Sequence, residues 1–429
     1  MRRSLIGILI WGLLAIGLAA QANQYDAALA KVRSSDGFKR AIAVLDRDHD
    51  RFVAEIITLT EIPAPPFKEA ARAKAYLGML RGSGLTDVEQ DEEGNVMGLR
   101  RGSAANRDKA PLIAVAAHLD TVFPEGTDVK VRREGSKLSA PGVGDDTRGL
   151  AVLLALIRAM NEARIETTSD LLFVGNVGEE GLGDLRGTKY LFNKGKYKDR
   201  IKMFVSVDHA VNESNITHAA VGSRRYRVTF KGPGGHSYDA FGVVNPAFAM
   251  AGAIQKFGKL TVPGKPRTTY SVGVIGGGSS VNAIPSEAWM EIDMRSESRV
   301  ELQRLDERFV ALVGEAVREE NAARSTARGP ITVDLKLIGD RPSGETPLDS
   351  RIVQVAAASI RAAGLKPTFI PNSTDANVPI SLGIPAITLD PGGDTGGAHA
   401  LGEWISIEKI SSLRGVHILL ATLLALAAG

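Results

Sequence analysis

The sequence predicts an α/β protein: a mixed sheet covered by helices on both faces, with a small ferredoxin-like α+β domain inserted into it. Two observations predict the main domain. Short unbroken apolar runs recur, as PLIAVAAHLD (111–120), LLFVGNVGEE (171–180), MFVSVDHA (203–210) and IPAITLDPGG (384–393), which is the texture of strands buried on both faces. Helical patterns alternate with them, LAVLLALIRAM (150–160) between the first two, as an α/β sheet requires. A third observation predicts the insert. From about Ala219 to about Pro330 the strands RRYRVTFKG, TTYSVGVIGGG and EAWMEIDMRS alternate in polarity, interleaved with the helices NPAFAMAGAIQKFGKL and RVELQRLDERFVALVGEAVREENAA. The order β-α-β-β-α-β is ferredoxin-like. ITVDLKLIG (331–339) suits either its last strand or the return into the main domain.

The remaining elements follow in chain order. Arg2 and Arg3, an apolar stretch from Leu5 to Leu18 and the small-x-small triplet Ala20-Gln21-Ala22 read as a secretory signal (1–22), cleaved to leave a mature chain from about Asn23. The apolar run is short for a membrane span. Residues 24–60 are helical in pattern, with Val44, Phe52, Ile56 and Ile57 at helical spacing. Residues 61–85 read as a proline-marked turn and a helix that stops at glycine. DVEQDEEGNVMGLRRG reads as a hairpin turning at Glu93-Gly94. ILLATLLALAAG (418–429) reads as a buried terminal helix. The predicted boundaries are thus 1–22, 23–218, 219–330 and 331–429.

Composition narrows the chemistry. The chain has no cysteine, so disulfides, thiolate ligands and lipoprotein anchoring are excluded. Its formal charge of +3 falls to +1 without Arg2 and Arg3, and nothing points to nucleic acid or a lipid surface as partner. The apolar strands all end in acids or histidine: His118 and Asp120, Glu179 and Glu180, Asp208, and later His399. Asp145 and Asp146 stand side by side before the 150–160 helix. In α/β sheets, sites form beyond the C-terminal strand ends. One such histidine or acid is ordinarily a hydrogen-bonded structural residue, and a helix-capping role suits the aspartate pair. Recurrence is what a structural role leaves unexplained, because buried carboxylates gathered in one cleft are costly unless compensated. Imidazole and carboxylate donors suit zinc, and also cobalt or manganese.

These residues lie in HLDTV (118–122), GDDTRG (144–149), GEEGLGD (178–184), VDHA (207–210), GPGGHS (232–237) and GGAHALGE (396–403). In this order the motifs resemble the co-catalytic dizinc metallopeptidases that include peptidase T, glutamate carboxypeptidase, carnosine dipeptidase and aminoacylase-1, with the peptidase T branch most similar. The resemblance implies two divalent cations, most simply Zn2+ with Co2+ or Mn2+ as alternatives. It implies that His118 and Asp208 hold the first, Glu180 and His399 the second, and that Asp145 bridges them across a cis peptide to Asp146. It further implies that Asp120 orients His118, that Glu179 is the general base, and that His236 in the insert assists the oxyanion. Asn282, Arg295, Gly396 and Gly397 would contact substrate. The insert would act as lid and homodimer contact.

The expected function is a secreted, periplasmic exopeptidase that cleaves short peptides with metal-activated water. An N-acyl-amino-acid deacylase is the alternative, ahead of a lidded aminopeptidase or an inactive binding protein. No membrane anchor is expected after signal cleavage.

Overall fold

The structure is a computed structural model that describes residues 24–104, 111–209 and 212–428. The expected signal segment, 1–22, lies outside these residues. The chain divides into two compact units, one comprising the described residues up to Ala219 with those from Glu345 onward, the other Ala220–Gly344.

The first unit opens with three helical stretches, 24–34, Asp36–Arg47 and His49–Thr60. Ser35 caps the second by accepting the Phe38 amide. The hairpin strands Thr86–Gln90 and Val96–Arg100 pair antiparallel, and the Asp91 carboxylate gathers the amides of Glu93, Gly94 and Asn95 at their turn. They form one side of a nine-stranded sheet. At its centre Asp170–Asn176, Leu112–His118, Ile201–Val207 and Ala386–Leu389 lie next to one another, all parallel. Every residue of Leu112–His118 is buried. Successive side chains of a strand point to opposite faces, so both faces of the sheet are covered. Thr147–Glu162 packs its apolar length against this core, as does Lys409–Ala427, where Leu419, Leu420 and Leu423 are fully buried. That last helix is long and apolar enough to cross a membrane by length alone, but most of it is buried inside this unit.

The second unit holds Gly222–Lys231, Pro246–Phe257, Thr268–Gly277, Glu287–Ser296, Arg299–Ala323 and Thr332–Arg341 in that order. Its antiparallel sheet runs Thr268–Gly277, Glu287–Ser296, Gly222–Lys231, Thr332–Arg341, which is the ferredoxin-like order. Phe230, Phe257, Met290 and Phe309 form its separate core. The expected boundary at residue 330 is corrected here. Thr332–Arg341 is the last strand of this unit because it pairs with Gly222–Lys231 along most of its length, and the unit ends at Gly344.

Candidate metal centre

The parallel central strands bring their C-terminal ends to one edge, and the polar residues follow there. His118 is the last residue of its strand. Its Nδ1 lies 3.0 Å from the main-chain carbonyl of Asp120, which can only accept, so Nδ1 carries the proton and Nε2 faces the cleft. The Asp120 carboxylate stands farther off, 3.6 Å from the same nitrogen. That carboxylate instead accepts the amides of Glu179 at 3.0 Å and Glu180 at 2.8 Å. It thereby stitches the end of one strand to the loop that follows its neighbour. Gly178, with φ +68°, turns the chain into that loop, a conformation open to glycine at little cost.

The adjacent aspartates do different work. Asp146 is the N-cap of Thr147–Glu162, accepting the Gly149 amide, and its second oxygen accepts the His118 amide at 3.0 Å. The Asp145–Asp146 peptide is cis. Asp145 turns one oxygen to His118 Nε2 at 2.8 Å and the other to His399 Nε2 at 3.2 Å. His399 Nε2 also lies 3.0 Å from Glu180, and His118 Nε2 lies 3.9 Å from Asp208. Donor atoms of His118, Asp145 and Glu180 fall within 4.8 Å of one another, as do those of His118, Asp146 and Asp208. His118, Asp145, Glu180, Asp208 and His399 are thus brought together.

Most of these groups are pushed up, while hydrogen bonds from His118 and His399 hold Asp145 low. Burial, reinforced by the charge of Asp145, pushes the Asp208 carboxyl well above the usual range. Burial does the same to Asp146 and raises Glu180 to about 7. Hydrogen bonds to Asp145 and Glu180 lift His399 to about 10. Burial alone would lower His118, but Asp120 and Asp145 outweigh it and hold the ring well above its usual value. More carboxylates converge than these two imidazoles can compensate, and all donors are nitrogen or oxygen. Divalent cations fit this set.

Three contributors were not singled out for the site from the sequence. Arg72 is fully buried and donates to the carbonyls of Leu119 at 2.7 Å and Ile62 at 3.0 Å, which anchors the residue between His118 and Asp120. Asp375 is fully buried against Asn176 and Thr188 and is raised to about 7 by burial and then by Glu179. Glu403 closes the GGAHALGE motif and had no assigned role; its contacts are described below. Arg148, which follows in GDDTRG, donates to Ser412 and to the Ser406 carbonyl.

The remaining candidates are placed as follows. Gly396 pairs with Trp404, and Gly397 has φ +72°, both in the turn before His399. His236, Asn282 and Arg295 belong to the second unit. Gly235–His236 pairs with Ala283–Ile284, and the Ser237 amide donates to the Asn282 carbonyl, so His236 and Asn282 are neighbours. His236 Nδ1 lies 3.3 Å from Asp239. Arg295 is engaged by Asp293 at 2.6 Å, an ordinary surface ion pair.

Comparison with known proteins decides the family. Residues 114–425 match the model for peptidase family M20/M25/M40. The chain belongs to this family. As an M20 member it is a metal-dependent hydrolase of the peptidase and deacylase kind. It is 25% identical over 336 residues to an acetylornithine deacetylase of Myxococcus xanthus, covering 74% of this chain and 81% of that one. Its fold resembles aminopeptidase PepT from Bacillus cereus, with TM-score 0.70, 21% identity and coverage of 89% and 99% of the two chains. It also resembles the YXEP protein of Bacillus subtilis, described as a dinuclear metal binding peptidase, with TM-score 0.62, 16% identity and coverage of 88% and 99%.

Proposed function

We propose that this M20 hydrolase cleaves the amide bond of short peptides, using two divalent cations, most simply zinc. The observation that carries the reading is the double approach of Asp145 to His118 and His399, with Glu180 and Asp208 beside them. His118, Asp145 and Asp208 would hold one ion, and Asp145, Glu180 and His399 the other. Such ions polarise a carbonyl and lower the pKa of a water towards neutrality.

The chain's own residues supply the rest. Glu179, whose amide is fixed on Asp120, takes the proton of the attacking water and passes it to the leaving amine. Asp120 acts as a positioning residue by fixing the Glu179–Glu180 loop. The family likeness supports an oxyanion role for His236 and substrate contact by Asn282 and Arg295, the last of which pairs with Asp293 here. Gly396 and Gly397 would shape the backbone beside His399.

A deacylase acting on N-acyl amino acids is the second reading, favoured by the likeness to the Myxococcus deacetylase. Secretion to the periplasm, with cleavage after Ala22, is supported by the Arg2–Ala22 pattern. A homodimer through the inserted unit is supported by its edge strand Thr268–Gly277, which exposes Val274 and Ile275.

Glu179→Gln tests the mechanism. Its metal content should match the wild type while turnover falls by roughly 10²- to 10⁴-fold. Retained turnover would remove Glu179 from the base role.

A further inference from the structure

The segment that presents Asp145 runs from Ala140 to Asp146, and its amides converge on one carboxylate far away in sequence. Glu403 is 1% exposed. It accepts the amides of Gly142 at 2.9 Å, Gly144 at 2.7 Å and Asp145 at 2.9 Å. Its main-chain carbonyl accepts the Ala140 amide at 3.0 Å. The antiparallel pairing of Trp404–Ser406 with Lys137–Ser139 delivers it there. A Cβ on Gly144 would stand 3.1 Å from its Oε1, so a side chain there would push the acid back by a few tenths of an ångström.

Converging loop amides ahead of a helix N-terminus form a concavity that attracts anions. Here the chain supplies the acceptor itself. One of its bonds goes to the amide of Asp145 itself, and the same residue lies in the turn after His399, where its own amide donates to Ala400. The two loops that carry facing donor groups are therefore tied by a single side chain. A carboxylate suits this place because it only accepts. A glutamine of the same size would turn an NH2 group towards at least one donor.

We propose that Glu403 is a positioning residue that holds Asp145 and His399 in register, so that cation affinity depends on a carboxylate that ligates no cation. The inference rests on the metal-centre reading above. Cobalt titration of the metal-free full-length wild type, Glu403→Gln and Glu403→Asp tests it, with affinity read by calorimetry and the ligand field by visible absorption. Glu403→Gln should bind Co2+ roughly 10- to 100-fold more weakly, with an altered absorption spectrum. Glu403→Asp, which keeps the charge, should fall between it and the wild type. If Glu403→Gln melts earlier yet binds Co2+ with the wild-type affinity and spectrum, the residue is merely structural and the proposal fails. Should Glu403→Gln not fold, Glu403→Asp decides by the same two readouts. A wild type that binds no Co2+ would overturn the metal reading itself, an outcome distinct from unchanged binding in the variants.

Discussion

His399 Nε2 stands 3.0 Å from Oε1 of Glu180, although the two are 219 residues apart in the chain. The contact joins the loop after the Asp170–Asn176 strand to the turn ahead of Trp404–Ser406. Removing either partner should vacate the same position. His399→Ala and Glu180→Ala are each expected to lower bound metal from about two equivalents to about one, and the double variant should lose no more. Elemental analysis of the dialysed proteins reads this directly, and two retained ions in either variant would contradict the pairing.

Stability of the metal-free protein should depend on pH in a defined direction. Burial raises Glu180, Asp375 and Glu403 to about 7. A carboxyl raised in the folded state contributes stability that is full below its unfolded value of about 4 and is lost as pH rises through the folded value. His399, raised to about 10, adds a contribution that is full below about 6.5 and is lost only through that higher range. Asp145, held low, acts in the opposite sense, but only in strong acid. The Tm of chelated protein should therefore fall between pH 5 and pH 8. Bound cations favour the ionised acids, so added zinc should flatten the trend. Melts with and without chelator check this, and a Tm of the chelated protein that rises across that range would count against it.

Arg72 should matter for stability rather than chemistry. Arg72→Met keeps much of the stem but abandons the buried carbonyl of Leu119 and the part-buried one of Ile62. Each buried polar group left without a partner costs about 1–3 kcal/mol, so a loss of about 3 kcal/mol is expected in urea unfolding. A change within about 0.5 kcal/mol, typical of an ordinary surface substitution, would show that those carbonyls find other partners.

The inserted unit offers a test of assembly. Ile275 is 63% exposed on the edge strand Thr268–Gly277, and an exposed apolar edge invites pairing with another strand. Light scattering should find a dimer for the wild type and a monomer for Ile275→Lys. A wild type that stays monomeric at high concentration would remove the dimer from the proposal.

Much of the main domain was legible because its physics is local. Both-face burial writes itself as unbroken apolar runs, and parallel strands put their ends on one edge, so His118, Glu180 and Asp208 could be read as neighbours before any coordinates. Thr332–Arg341 was not decided, because alternation of polarity says that a strand is half exposed but not which sheet it joins. Arg72 was hidden for a related reason: AARAKAYLGMLR is an unremarkable helix in which nothing marks one arginine as buried. Glu403 stood within a quoted motif, yet its partners Gly142, Gly144 and Asp145 are main-chain amides, which leave no trace in side-chain identity. Whether the side chain or the carbonyl of Asp120 receives the His118 hydrogen bond, as the carbonyl does, is a distinction that sequence does not carry.

The acids and histidines around Asp145 are proposed to form a two-cation centre that hydrolyses amide bonds. The most direct measurement is metal content together with hydrolysis of a panel of dipeptides, tripeptides and N-acetyl amino acids, before and after chelation. The account predicts about two equivalents of divalent metal per chain and amide cleavage that is lost with chelator and restored by zinc. A folded protein that holds no metal and leaves the whole panel intact would contradict it.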